Sequence, residues 1–497
     1  MDDRQQVILG GNKEGKQILF DAAMANRHGL ITGATGTGKT ITLQLLAESF
    51  SRLGVPVFSA DVKGDLSGIA TAGQEHPKIT DRLTRIGLQT HSFEGCPTLF
   101  WDLFGQTGHP IRTTVSEMGP ILLANLLNLN ETQSGILQVA FTVADDQGLL
   151  LLDLKDLHTM LIWMSDNRQE LGKKYGNISS TSIATIQRRL LVLKESGGEE
   201  FFGEPALKIQ ELMRTDFSGR GVVSLLNAST LYSNPRIYTS FLLWLLSELM
   251  EELPERGDAP LPKLVFFFDE AHLLFDNAPP ALLQRITQVV RLIRSKGVGI
   301  FFVSQYPNDI PDEVLGQLGC RIQHGLRAFT PKDQKAVRVA AETFRQNPHI
   351  DTETMITELG TGEALVSTLD AQGRPTMVDW CLLSPPRSHI GPIESTEQKR
   401  MLTNSPLQGL YDTAIDRHSA HEVLTERAAA LQPPPTPEPQ GQDSMTQQII
   451  HAGKSAFGGG QRQSVGEAFV KTIVRTIGSQ IGRSLIRGIL GSLTGRR

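Results

Sequence analysis

The sequence is poor in cysteine, in long apolar runs and in charge of one sign, and each lack removes a class of protein. Its three cysteines, Cys96, Cys320 and Cys381, lie far apart and form no C-x-x-C pair. That excludes a disulfide framework and a zinc module, and it fits a reducing compartment. The longest apolar stretch, around residues 241–246, falls far short of the ~18 residues a spanning helix needs. The polar opening Met1-Asp-Asp-Arg-Gln-Gln lacks the apolar core of a signal peptide, so a cytoplasmic chain is expected. With 48 basic and 53 acidic residues the net charge is −5, which rules out a general polyanion-coating surface. Positive charge gathers at one end instead. Residues 461–497 hold seven basic side chains against Glu467 alone, a charge of +6 that leaves −11 on residues 1–460. Contact with a phosphate backbone must therefore be local.

What is present is a chain of 497 residues, 39% hydrophobic and 20% charged, long enough for two or three folded units. Short β-like pieces at residues 7–10 and 17–20 lead to His28-Gly-Leu-Ile-Thr32, a brief apolar strand, and then to a Gly/Thr loop. After the loop Leu43, Leu46, Phe50 and Leu53 recur at helical spacing, and residues 55–61 read as a second buried strand. Strand, loop, helix and strand in that order signal a parallel α/β sheet. Helical periodicity then dominates from about Asp65 to Ser218. Strand signals resume at residues 221–227, 263–269, 299–304 and 321–324, and a hairpin is expected over 363–383. The organisation expected is a first part of the core over residues 1–75, a helical insertion over 76–217 and a second part of the core over 218–385. A helical extension (386–430), a Pro/Gly-rich linker (431–463) and a basic amphipathic tail (464–497) follow.

Gly33, Ala34, Thr35, Gly36, Thr37, Gly38, Lys39 and Thr40 fill the pattern G-x-x-x-x-G-K-[ST] between a predicted strand and a predicted helix. Each part has a physical reason. The glycines let the backbone curl so that N–H groups face phosphate oxygens, and the helix opening adds its positive dipole end. Lys39 supplies a point charge to the β- and γ-phosphates, and the Thr40 hydroxyl can ligate Mg²⁺. The cofactors expected are thus ATP and Mg²⁺. Residues 264–268 form an apolar run that ends in Asp269 and Glu270. A buried parallel strand reads this way, and its carboxyl end is where an open sheet presents ligands. Asp269 is placed to support the metal and Glu270 to act as general base on water. A second such strand ends in Gln305, which can reach the γ-phosphate or the lytic water if the two strands are neighbours. An arginine is also needed for the charge that develops on the transferred phosphoryl group. Arg291, Arg294 and Arg327 all qualify on position, and the residues alone select none of them.

These residues resemble the HerA/FtsK superfamily of RecA-like P-loop motors. The match rests on residues 33–40, on Phe268-Asp269-Glu270-Ala271-His272, and on Arg294 with Gly297 leading to Ser304-Gln305. Within that group the whole chain looks closest to bacterial HerA-like ATPases. The resemblance implies an α/β, RecA-like P-loop NTPase with a mostly parallel sheet, a large α-helical insertion after the second core strand and a C-terminal helical basic tail. It also implies a hexameric ring that passes DNA through a pore, with Arg294 inserted into a neighbour's nucleotide site. Asp61-Val-Lys-Gly-Asp65 is similar to a D-x-x-G-[DE] element of the same group. HerA proper has a β-barrel ahead of its motor. Here the first core strand already opens at His28, so assembly through such a barrel is not expected.

Other readings compete. Residues 269–272 spell the D-E-A-H of another helicase superfamily, but the long helical gap after Lys39 and the lack of a second αβ array count against it. An ATP-dependent switch or scaffold that moves nothing would have the same site, and a pump for protein secretion is a further option, although no membrane-spanning segment ties the chain to a pore; a protein partner is left unidentified. In the tail, Phe469, Ile473, Ile477, Ile481, Leu485, Ile489 and Leu493 recur every fourth residue, with Lys471, Arg475, Arg483 and Arg487 two places behind the first, second, fourth and fifth of them. A four-residue stripe drifts about 40° per step on a helix of ~3.6 residues per turn. Such a helix can pack on its own core or a sister tail, lie on an anionic membrane surface, or touch nucleic-acid phosphates.

Overall fold

A computed structural model describes residues 5–229, 235–255, 257, 259–276, 278 and 280–430. The linker and basic tail expected beyond residue 430 lie outside the described residues. The strands, in chain order, are β1 (Gln6–Gly11), β2 (Gln17–Asp21), β3 (Gly29–Thr32), β4 (Val57–Asp61), β5 (Thr98–Asp102), β6 (His109–Pro110), β7 (Val223–Asn227), β8 (Leu264–Phe268), β9 (Val298–Ser304), β10 (Cys320–His324), β11 (Glu363–Ser367) and β12 (Asp379–Leu383). They form one sheet in the order β2-β1-β12-β11-β10-β3-β9-β8-β4-β7-β5-β6. From β10 to β6 every pairing is parallel, while β11, β12, β1 and β2 extend the sheet antiparallel.

The parallel strands are apolar throughout because helices and loops cover both faces. All five residues of β8, Leu-Val-Phe-Phe-Phe, are buried, and so are all seven of β9. On one face Phe267 stacks on Phe301 at 5.2 Å, and Phe50 from the helix Lys39–Arg52 and Phe20 from β2 pack against them. On the other face Phe58, Phe266 and Phe268 form a ladder that continues to Phe302 and Phe275.

Two strands arise inside the stretch expected to be helical. β5 pairs with β7 from Thr98↔Val223 to Asp102↔Asn227, and β6 finishes the edge. Helices follow them, but the division in space falls elsewhere than residues 76 and 217. One compact unit comprises the chain up to Asn130 together with Leu191–Asp416 and carries the whole sheet. The other contains Glu131–Leu190 together with residues 417–430.

In this second unit the helices Glu131–Gln147 and Leu154–Asp166 are joined by Ala420–Ala430, which lies along Leu154–Asp166. The fully buried Asp156 fastens that contact. Its carboxylate accepts from the amides of Leu152, Asp153 and His421 and from the Ser419 hydroxyl. The segment 417–430 thus belongs to the helical unit, whereas the helix Ser395–Thr403 belongs to the sheet unit. Among the described residues no helix is long and apolar enough to cross a membrane.

Candidate nucleotide site at the strand ends

The carboxyl ends of five adjacent parallel strands define the site. β3 lies between β10 and β9, with Thr32 opposite Gln323 and Ser304. β9 is followed by β8 and then β4, so Gln305 separates the loop after β3 from Asp269. Adjacency is what sequence could not supply, and it brings the glycine loop, Gln305, Asp269, Glu270 and residues 61–65 to one edge.

The loop 33–40 leaves β3 in backbone conformations that only glycine adopts easily. Gly33 has φ +153°, and a Cβ there would come within 2.4 Å of the His324 Cβ. Gly38 has φ +115° at the N-cap of the helix Lys39–Arg52. The Gly33 amide donates to the Gln305 carbonyl at 3.1 Å, and the Ala34 amide to that of Gly325 at 2.9 Å. Lys39 is buried, and its ammonium donates to the carbonyls of Gly33 at 2.6 Å and Ala34 at 3.2 Å. Burial, with Lys63 nearby, lowers its pKa. Thr40 occupies the first turn of the helix, half-buried, and Thr35 and Gly36 are exposed at the loop tip.

Beneath the loop lies a residue that sequence reasoning passed over. His324 is fully buried, and its Nε2 is 2.8 Å from the Thr42 hydroxyl. Burial, reinforced by Lys39, pushes it down to about 3, so the ring is neutral and adds no charge under the phosphate loop. A histidine closing an apolar strand carries no signal that separates this role from ordinary packing.

Asp269 and Glu270 are 3% and 5% exposed. Asp269 Oδ2 and Glu270 Oε2 have no hydrogen-bond partner among the described residues. Burial raises Asp269 to about 7, and Lys63 opposes the shift. Glu270 adopts φ +48°, a left-handed conformation that costs a non-glycine residue on the order of 1–3 kcal/mol. Its Oε1 is 2.5 Å from the ammonium of Lys63, and its Oε2 is 3.4 Å from His272 Nδ1. Lys63 was legible only as part of the Asp61–Asp65 element. Its contact with Glu270 depends on β4 lying beside β8. Gln305 is half-buried at the end of β9, on a turn fixed by Asp309, which accepts from the Ser304 hydroxyl at 2.6 Å and the Tyr306 amide at 2.9 Å.

Arg294 is not in this group. It follows the helix Pro280–Ile293 and precedes Gly297, which turns the chain with φ +79° into the amino end of β9. That is the opposite end of the sheet from the chain's own glycine loop. Arg291 is on the same helix, whereas the exposed Arg327 follows β10 on the loop side.

The residues fit a magnesium nucleotide. A glycine cradle with a buried lysine stands across Gln305 from an unpartnered, buried carboxylate oxygen. Among the described residues no group of three or more His, Cys, Asp or Glu can form an all-protein metal cage. A cation would then be held by Thr40, Asp269, phosphate oxygens and water, as Mg²⁺ prefers.

A parallel sheet with strand order β10-β3-β9-β8-β4, a glycine loop after β3 and acidic residues after β8 defines a P-loop NTPase of the RecA-like class. The helicase HerA-like C-terminal family matches residues 6–497, and the chain belongs to that family. It is 30% identical over 120 residues to the DNA double-strand break repair helicase HerA of Pyrococcus furiosus, a match over 24% of this chain and 21% of that protein. To the helicase of the same name from Sulfolobus acidocaldarius it is 22% identical over 381 residues, 73% of this chain and 66% of the relative. The chain therefore spans about a fifth of the first relative and just under two thirds of the second.

Among solved structures the bacterial conjugative coupling protein TrwB, unbound, superposes with a TM-score of 0.53 at 12% identity, over 80% of this chain and 92% of that one. TrwB in complex with ADP and Mg²⁺ superposes with a TM-score of 0.50 at 13% identity, over 76% of this chain and 89% of that one. At these identities the likeness concerns the fold.

Proposed function

We propose that this chain is a Mg²⁺-dependent ATPase of the HerA/FtsK type whose turnover drives movement of DNA, acting as a hexameric ring. The observation that carries the reading is the meeting of Lys39, Gln305, Asp269 and Glu270 at one edge of a RecA-like sheet in a HerA-like chain. TrwB has been solved with ADP and Mg²⁺, and the curated relatives are DNA repair helicases, which supports the nucleotide and the polymer.

In this scheme the ammonium of Lys39 moves from the loop carbonyls to the β- and γ-phosphates, and the amides of residues 33–40 wrap the phosphate oxygens. Thr40 and Asp269 hold Mg²⁺, which offsets phosphate charge when bound. Glu270 accepts a proton from the attacking water, and Gln305 senses the γ-phosphate from between the two loops. Arg294, at the far end of its own sheet, serves a neighbouring subunit. Glu270→Gln is expected to keep ATP binding and lose roughly 10²- to 10⁴-fold in turnover, the usual contribution of a general base. ATP binding with turnover near that of the parent would remove Glu270 from this role. Measuring turnover with and without single- and double-stranded DNA tests the polymer: a motor is stimulated, whereas a switch is not.

A further inference from the structure

Glu270 is held by Lys63 where it stands. One carboxylate oxygen, Oε2, is closed off from solvent, and the other, Oε1, is taken by the Lys63 ammonium at 2.5 Å. A general base needs an oxygen within hydrogen-bond reach of the proton it removes. The residue that blocks it is held firmly. Lys63 stands in the loop after β4, and the Asp61 carboxylate accepts from the amides of Gly64 at 2.7 Å, Asp65 at 3.3 Å and Leu66 at 3.0 Å. This turn fixes the Lys63 backbone while its side chain bridges two environments. The Lys63 side chain is 37% exposed, and the Glu270 side chain at its tip is 6% exposed. A surface residue is thus tied directly to the proposed base.

We propose that Lys63 restrains Glu270 and that a phosphate group competing for the Lys63 ammonium frees the carboxylate to take up water. The inference rests on the reading of Glu270 as the base. Lys63 is thus a positioning residue that acts through Glu270. An ammonium is a compact cation on a flexible stem, so it can exchange one oxyanion for another by rotating its side chain, with no movement of the Asp61 turn. Two sources of phosphate can reach Lys63. The terminal phosphate of a nucleotide bound at Lys39 would approach from inside the site, where Lys39 and Lys63 already feel each other's charge. A backbone phosphate of nucleic acid would approach from the exposed side.

The test uses the full chain with Lys63→Met, Lys63→Arg, Glu270→Gln and the Lys63→Met/Glu270→Gln double variant. Steady-state turnover is measured with and without DNA, ADP affinity by titration with a fluorescent analogue, and Lys63 acetylation by mass spectrometry after brief treatment with an acylating reagent. Lys63→Met is expected to raise kcat several-fold without DNA and to leave ADP affinity unchanged. Lys63→Arg, which keeps a cation, is expected to stay restrained.

In the unmodified protein Lys63 acetylation is expected to be slow, and in Glu270→Gln it is expected to be faster. In Glu270→Gln, where Lys63 has lost its anion, a fall in acetylation with a non-hydrolysable ATP analogue alone identifies the nucleotide as the source, and a fall that needs DNA identifies the backbone. Lys63→Met that binds ADP but turns over no faster than the parent overturns the restraint, as does equal acetylation in the parent and Glu270→Gln. The double variant is expected to be as inactive as Glu270→Gln. Parental turnover in Glu270→Gln itself overturns the base assignment, which is a separate failure.

Discussion

His28 opens β3 from a fully buried position with φ +60°, and both of its ring nitrogens are used. Nε2 lies 2.9 Å from the Val290 carbonyl and so carries the proton, while Nδ1 accepts from the Ile300 amide at 3.0 Å. Burial pushes the imidazole down to about 4; the bond to Val290 opposes the shift and Arg294 adds to it. The sign of the pH effect follows. Below the ordinary value of 6.5 the unfolded chain binds a proton that the folded chain refuses, so this group destabilises the fold as pH falls from about 6.5 to about 4. The contribution is roughly 3 kcal/mol at its full extent. His28→Asn, which removes the titrating imidazole, is expected to flatten the slope of unfolding free energy against pH in that window, read from denaturant titrations. At this scale Lys39, Asp269, Glu270 and Gln305 were legible because each ends a patterned strand or loop. Lys63 and His324 were not, because their roles come from neighbours hundreds of residues away along the chain.

The helix Lys39–Arg52 carries the phosphate loop at one end and a clasp near the other. Glu48, 2% exposed, accepts from the amides of Arg387 at 2.8 Å and Ser388 at 3.2 Å and from the Ser388 hydroxyl at 2.9 Å. Gln44, one turn earlier, donates to the Ser388 hydroxyl and the His389 carbonyl. The segment after β12 is therefore fixed to the helix by its backbone. Glu48→Ala leaves those amides without partners and is expected to cost roughly 1–3 kcal/mol in denaturant unfolding. Most elements of the core were readable from periodicity, since β3, β4, β7, β8 and β9 are apolar runs followed by turns or polar residues. β5 was not. Thr98-Leu-Phe-Trp-Asp102 is a short apolar run inside a long helical pattern, and periodicity alone does not separate such a run from buried helix. Its strand character comes from the open edge of β7, which only the assembled sheet provides.

A chain whose arginine and phosphate loop lie at opposite ends of the sheet cannot complete one site from both. Mixing two inactive proteins tests this in the proposed ring. Arg294→Ala subunits keep an intact loop, and Lys39→Ala subunits keep an intact arginine. Co-assembled, they are expected to regain part of the ATP turnover that neither shows alone, measured against each variant at the same total concentration. Turnover that stays at the level of the separate variants would place the missing arginine elsewhere. The sheet order has a further consequence, for the birth of the protein. β3 emerges early, yet its two partners are residues 298–304 and 320–324. While the ribosome is still making the helices in between, the strand that leads into the glycine loop lacks both of these partners. Long-range pairing of this kind slows folding and leaves edges exposed. A nascent chain released before residue 324 would carry the glycine loop without both of the strands that flank β3 in the finished sheet.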